Sequence, residues 1–205
     1  MRYVELKDSL KKFTIFSLGD IKKIDSRFYR RRLNEWADKG YIRKIVKGHY
    51  IFSDLELNES VIFEIANRIY SPSYISLETA LAYYNLIPES VYGITSISTR
   101  RTYRFKTVIA EFSYRTVRPA LYFSYDIIKY NGKNFKIATP AKAVLDYLYS
   151  HPHINDTDDF LSLRVNKDNF LKMVQDDEIK MLVKKFGKKA LTKRVKHFME
   201  FIKNA

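Results

Sequence analysis

Residues 26–52, SRFYRRRLNEWADKGYIRKIVKGHYIF, contain a helix and a hairpin in close succession. Asp25 or Ser26 offers a side-chain oxygen to cap a helix starting there and running to about Lys39. Gly40 can end that helix, because glycine enters the left-handed region without steric cost. On a wheel of about 100° per residue, Tyr29, Leu33, Trp36 and Ala37 share one side, which is the predicted core face. Arg27, Arg31, Asn34 and Asp38 fall nearly opposite, with Arg30 and Arg32 on the two borders. IRKIVKGHYIF then predicts a hairpin turning at Lys47-Gly48. Ile42, Lys44 and Val46 occupy one face of its first strand, and Arg43 and Ile45 the other. His49, Tyr50, Ile51 and Phe52 form the return. Isoleucines on both faces make the alternation imperfect.

Upstream, Val4, Leu6, Leu10 and Phe13 mark a short helix over 3–13, and Phe16, Leu18, Ile21 and Ile24 a second. Three helices and a hairpin predict a winged helix-turn-helix over residues 1–55, with the third helix as reader of the major groove. Arginine can donate two hydrogen bonds to guanine, and asparagine can pair with adenine. The predicted DNA-contacting residues are Arg27, Arg30, Arg31 and Asn34 on the helix. Arg43, Lys44, Lys47 and His49 on the hairpin are placed for phosphate or the minor groove. The competing reading is a protein-interaction module whose arginines are a solvated face.

The distribution of charge adds to this. The chain carries a formal net charge of +14, which points to a polyanion and first to double-stranded DNA. Residues 1–58 hold 14 Lys/Arg against 8 Asp/Glu, residues 59–178 hold 14 against 14, and residues 179–205 hold 9 against 1, so a neutral middle separates two basic ends. No cysteine is present, which excludes disulfides, thiolate metal sites and cysteine nucleophiles. MRYVELKDSLKKF lacks a signal-peptide apolar core, and no stretch approaches the roughly 18 apolar residues of a membrane span. A soluble cytoplasmic chain without a membrane partner is expected.

Beyond Ser53, ESVIFEIANRIY reads as a helix closed by Ser71-Pro72, and SLETALAYYNLIP as another, capped by Ser76 and terminated by Pro88. ITSISTR, VIAEFSYRTV, ALYFSYDIIKY and NFKIA alternate as strands do, with Asn131-Gly132 as the turn between the last two. Thr139-Pro140 opens a further helix. HPHINDTDD reads as a polar loop, and two helices follow over about 167–186 and 188–203. The predicted fold class is α+β. A winged helix-turn-helix precedes a mixed α/β domain over 56–205, with an antiparallel β-rich middle and C-terminal helices.

The tail of that domain, 179–205, presents Lys184, Lys185, Lys188, Lys189, Lys193 and Arg194 as a possible second basic surface. Leu182, Val183, Leu191, Val195, Phe198 and Ile202 give the same helices an apolar side, so a role in the core is equally open.

Catalytic chemistry finds little support. The acidic clusters at 156–159 and 176–178 lie in polar stretches with no neighbouring strand to fix them around a metal. His151 and His153 lack a third ligand at an evident spacing, and no P-loop, dinucleotide fingerprint or nucleophile elbow occurs. A non-enzyme without metal or cofactor is expected.

Two segments carry a family resemblance. YISLETALAYYNLIPESVYGITSISTRRTYRF (74–105) resembles the signature region of the AbiEi antitoxins of type IV toxin–antitoxin systems. IATPAKAVLDYLYS (137–150) is similar to that family's TP-x-KA-x-x-D segment, in the right order. The resemblance implies an N-terminal winged helix followed by an antitoxin domain. It implies repression of the protein's own operon through operator repeats in its promoter, and a functional partner that is a nucleotidyltransferase-like toxin opposed without a stable complex; the alternative is a protein-interaction module that binds such a toxin directly, with DNA binding secondary. Some such operons act in phage defence. Arg100 and Arg101 match a basic step after a strand, where DNA, a toxin substrate or an internal salt bridge are open roles. The TPAKAVLD segment reads as architectural, with Lys142 and Asp146 spaced to pair along the helix.

Overall fold

The computed structural model describes residues 1–88 and 93–204, so Glu89–Tyr92 of the first family-like segment and Ala205 of the tail lie outside the described residues. The N-terminal unit runs α1 (Tyr3–Leu10), β1 (Phe16–Ser17), α2 (Leu18–Ile24), α3 (Arg31–Asp38), β2 (Ile42–Val46) and β3 (His49–Phe52). Its strands form an antiparallel sheet in the order β1-β3-β2. A capping box starts α2: the Ser17 hydroxyl accepts from the Asp20 N–H, and the Asp20 carboxylate accepts from the Ser17 N–H. A Schellman turn ends α3, with Gly40 at φ +71°. The Gly40 N–H donates to the Ala37 carbonyl and the Tyr41 N–H to that of Trp36.

The start of α3 differs from expectation. Asp25 caps a turn, not a helix: its carboxylate accepts from the Arg27 N–H at 3.1 Å and its carbonyl from the Phe28 N–H at 3.0 Å. This turn drives Phe28 into the core, 5.5 Å from the Trp36 ring. Tyr29, predicted for the core face, therefore points to solvent and is 67% exposed. The wheel assumed helical spacing from residue 26, whereas the helix begins at Arg31. Phe16, expected in α2, lies instead in β1 opposite Tyr50.

The imperfect alternation of the hairpin has a physical cause. Ile42, Tyr50 and Phe52 join Leu6, Leu10, Phe16, Ile21, Phe28, Leu33 and Trp36 in one hydrophobic cluster. Ile45 and Ile51, with Ile15, belong to a second, larger cluster centred on the rest of the chain. The small sheet is thus buried on both faces, and a bulge between Lys44 and Val46 interrupts its register.

The larger body holds a six-stranded sheet in the order β6-β7-β5-β4-β9-β8. Its strands are β4 (Ser73–Ile75), β5 (Ile94–Ser98), β6 (Tyr103–Lys106), β7 (Glu111–Thr116), β8 (Tyr125–Tyr130) and β9 (Lys133–Ala138). The expected antiparallel middle is corrected to a mixed sheet, because β5 runs parallel to β7 and β4 parallel to β9. Two strands missing from the expectation explain this. β6 lies between β5 and β7 in sequence but pairs outside β7, and the three-residue β4 lies between β5 and β9. Register sets Tyr74 and Tyr114 on opposite faces of the sheet. Tyr114 donates to the Ala66 carbonyl of α4 (Glu59–Ile69), and Tyr74 donates to Asp146 of α6 (Pro140–Ser150), so the two helices cover opposite faces.

Local chemistry starts α6 as the sequence predicts, but Ser76, expected to cap the helix that follows it, makes no side-chain cap bond and donates its hydroxyl to Asp146 instead. Asn58 caps α4, and Thr139 caps α6 with Pro140 in its first turn. α5 (Leu77–Tyr83) stops before Pro88. The supposed polar loop contains a helix, α7 (Thr157–Ser162), started by a capping box between Asp156 and Asp159. The helix expected over 167–186 is two, α8 (Lys167–Met173) and α9 (Asp176–Phe186), broken at buried Val174. In α9 and α10 (Lys189–Asn204), Ile179, Leu182, Val183, Phe186, Leu191, Val195, Phe198, Met199 and Ile202 are all buried. The basic tail is therefore part of the core.

Two buried polar knots stand out. Lys142 and Asp146 of α6 are both 0% exposed and paired. Asp146 also accepts from the Tyr74 hydroxyl at 2.9 Å and the Ser76 hydroxyl at 2.8 Å. The Lys142 ammonium lies over the Tyr74, Phe123 and Phe186 rings at 5.3, 5.0 and 5.3 Å. Burial pulls the Lys142 ammonium below its ordinary range, with Asp146 opposing. The second knot joins the two units. Glu64 of α4, 2% exposed, accepts from Thr14 of the N-terminal unit, from the Tyr130 hydroxyl at 2.5 Å and from Arg68 Nε at 2.8 Å.

Candidate nucleic-acid interface

A cationic surface of the N-terminal unit is built on α3 and the turn before it. Leu33 and Trp36 are buried and fix the roll of the helix. That roll leaves Arg31 and Asn34 exposed, and the turn before the helix leaves Arg27 and Arg30 exposed, with no part in the core. Arg32 behaves differently: its guanidinium donates to the Met1 carbonyl at 2.5 Å and lies 5.7 Å from the Trp36 ring centroid. It holds the N-terminal residue against α3.

Acids on the same helix modulate this surface. Glu35 sits one turn beyond Arg31, Nε to Oε1 4.0 Å, with both side chains mostly exposed. Asp38 is exposed further along. An exposed pair of this length is worth under about 1 kcal/mol, so a bidentate partner of stronger geometry can displace Glu35.

The hairpin residues divide. Lys44 is exposed opposite Tyr50, and Lys47 is exposed at the turn, where Gly48 takes φ +84°. Arg43 lies across from Ile51, on the face turned toward the larger body. It is half-buried, and its Nε is enclosed without a hydrogen-bond partner. His49 is half-buried with Nδ1 likewise enclosed. The bulged strand thus presents Lys44 and Lys47 freely and holds Arg43 and His49 in its flanks.

Other predicted residues sit on the larger body. Arg100 stacks its guanidinium 4.5 Å over the Tyr70 ring and donates to the Ser71 carbonyl at 3.4 Å. Arg101 lies 5.8 Å from the Tyr103 ring centroid and is exposed. Lys184, Lys189 and Lys193 are exposed. Lys185 lies over Phe123 and Lys188 over Tyr149, each at 4.7 Å. Arg194 is tied into the fold, donating to the Leu148 carbonyl at 2.6 Å, so it works as a clamp between α10 and α6. Arg118 donates to the Phe186 carbonyl at 3.3 Å, joining the end of β7 to the α9–α10 corner.

The acidic clusters have structural duties. Asp156 and Asp159 cap α7, and Asp176 meets Lys180 and Lys203 at the start of α9. His151 shares a hydrogen bond with the Tyr147 carbonyl at 3.0 Å and lies 3.6 Å from Glu78. Among the described residues no group of three or more His, Asp or Glu is arranged to hold a metal ion, and no helix is long and apolar enough to cross a membrane.

Two features of the surface escaped sequence reasoning. One is the outward turn of Tyr29, and the other is the acid Glu35 beside Arg31. The adjacent Phe28 was the available signal for the first, since two neighbouring aromatics in a non-helical turn compete for one core position. The i, i+4 spacing of Arg31 and Glu35 was the signal for the second. Compared with known proteins, the chain matches no family model and no curated protein.

Proposed function

We propose that this chain is a sequence-specific DNA-binding repressor whose N-terminal unit works as a winged helix, and that it serves as an AbiEi-like antitoxin controlling its own operon. It acts by binding, not catalysis. The order α1-β1-α2-α3-β2-β3 agrees with a winged helix, in which α3 enters the major groove and the β2–β3 turn meets the backbone. The observation that carries the reading is the exposed face of Arg27, Arg30, Arg31 and Asn34. Packing does not need these side chains, and their donor patterns suit base edges. Lys44 and Lys47 suit phosphate. The antitoxin assignment rests on the two family-like segments, with a nucleotidyltransferase-like toxin as the functional partner. The exposed lysines of α9 and α10 supply a second region for phosphate contact.

The test compares Arg31→Ala with Lys47→Ala at one fixed salt concentration, on operator and on random duplex. Arg31→Ala is expected to cost about 1–3 kcal/mol on the operator and to relax preference at one base pair. Lys47→Ala is expected to weaken both duplexes alike. If Arg31→Ala leaves the operator-to-random ratio unchanged while Lys47→Ala alters it, reader and clamp are interchanged. If neither loses affinity, the surface serves protein interaction.

A further inference from the structure

We infer that Tyr29 is a base reader, setting its ring against a thymine C5-methyl in the major groove. The inference rests on the DNA-binding reading above and adds a residue of a different chemistry to it. Tyr29 is 67% exposed, and its side chain makes no hydrogen bond or ring contact among the described residues. The other tyrosines of the N-terminal unit are engaged. Tyr3 and Tyr41 have ring centroids 4.7 Å apart, and Tyr50 is buried near Phe16.

The base under Tyr29 is nevertheless fixed. Asp25 closes the preceding turn, Phe28 is anchored beside Trp36, and the Tyr29 carbonyl accepts from the Arg32 N–H at 3.0 Å. With the backbone held, only the two side-chain torsions of the tyrosine remain to be ordered on binding. Arg27 and Arg30 flank it and Arg31 follows, all exposed. These cations would bring the ring to DNA, and thymine offers the one apolar group of the major-groove code. Arginine reads guanine well but gains nothing from a methyl group. The tyrosine would supply the complementary apolar contact next to these arginines in the chain.

The experiment uses the full chain and a duplex it selects from a random pool. Each thymine is replaced singly by uracil, which removes only the methyl group, and affinity is measured at fixed salt. Wild type is expected to lose about fourfold at one or two positions, the scale of one buried methyl. Tyr29→Phe should keep this sensitivity, and Tyr29→Ala should bind thymine and uracil duplexes equally at those positions. Circular dichroism checks that both variants fold, which the exposure of Tyr29 favours. Unchanged discrimination in Tyr29→Ala overturns the inference. So does loss of binding in Tyr29→Phe, which would assign the hydroxyl to a phosphate. If wild type selects no duplex, the DNA-binding reading itself fails before any variant is made, and this inference fails with it.

Discussion

Asp146→Asn is expected to be one of the most destabilising near-isosteric changes in the larger body. The carboxylate takes three donors, from Lys142, Tyr74 and Ser76, with no exposure to water. An amide keeps the shape but loses the charge, leaving the ammonium buried without its counter-ion. Breaking one partner out of a buried pair costs about 3–5 kcal/mol. The rings of Tyr74, Phe123 and Phe186 lie over the ammonium in wild type and variant alike, so they cancel in the difference. A loss of about 3–5 kcal/mol is expected. Lys142→Met should cost less, because the carboxylate keeps two hydroxyl donors and the thioether suits the aromatic box. The double variant should be more stable than Asp146→Asn alone, because it removes the stranded charge. Urea unfolding followed by circular dichroism measures all three against wild type. Additive costs in this double-mutant cycle would refute the buried pair.

Glu64→Ala should cost about 2–3 kcal/mol, as the hydroxyls of Thr14 and Tyr130 lose their acceptor. It should also separate the unfolding transition of Trp36 fluorescence, which reports the N-terminal cluster alone, from that of circular dichroism. Deleting 179–205 should prevent folding of the larger body, and Phe198→Ala alone should cost about 3–5 kcal/mol, both read by circular dichroism; a folded truncation would contradict the packing of α9 and α10. Alkaline stability is set by tyrosines. Burial holds the phenols of Tyr74, Tyr84, Tyr114 and Tyr130 well above their ordinary value of 10.0 and pushes Tyr122 up to about 12. Raised folded values stabilise fully below the unfolded value, and that contribution is lost as pH rises through the folded ones. Unfolding should therefore set in above pH 10, with these phenolates appearing in ultraviolet absorbance only as the fold is lost.

Elements announced by strong local chemistry were legible in the chain. Thr139-Pro140, Gly40 and Lys47-Gly48 mark ends and turns through side-chain capping or positive φ, which act within a few residues. What escaped depends on distant partners. β4 is three residues long and is a strand only because β5 and β9 lie on either side of it. The order β6-β7-β5 follows from an edge strand folding outward, which alternation cannot encode. Lys142 and Asp146 carried the spacing of a surface pair, and only Tyr74 and Ser76, about seventy residues upstream, reveal them as core. On the candidate interface, the exposure of Arg31 and Asn34 followed from Leu33 and Trp36, whereas Arg27 and Arg30 are exposed by the turn before the helix. The half-burial of Arg43 did not, because the larger body covers that face of the hairpin.

That covered face bears on how the two units act together. A hairpin buried on one side only could swing with its helices as an independent module. Here Ile45 and Ile51 belong to the core of the larger body, while Ile42, Tyr50 and Phe52 belong to that of the helices. The sheet is a shared wall, and Thr14 with Glu64 adds a buried polar bond beside it. Moving the N-terminal unit would expose the apolar contact of Ile45 and Ile51 with the larger body and take one of its three donors, Thr14, from the Glu64 carboxylate. The angle at which α3 meets a partner is therefore fixed by residues that touch no partner. On the proposed reading, substitutions at Ile15, Ile45 or Thr14 would change operator affinity through geometry, leaving the arginines intact.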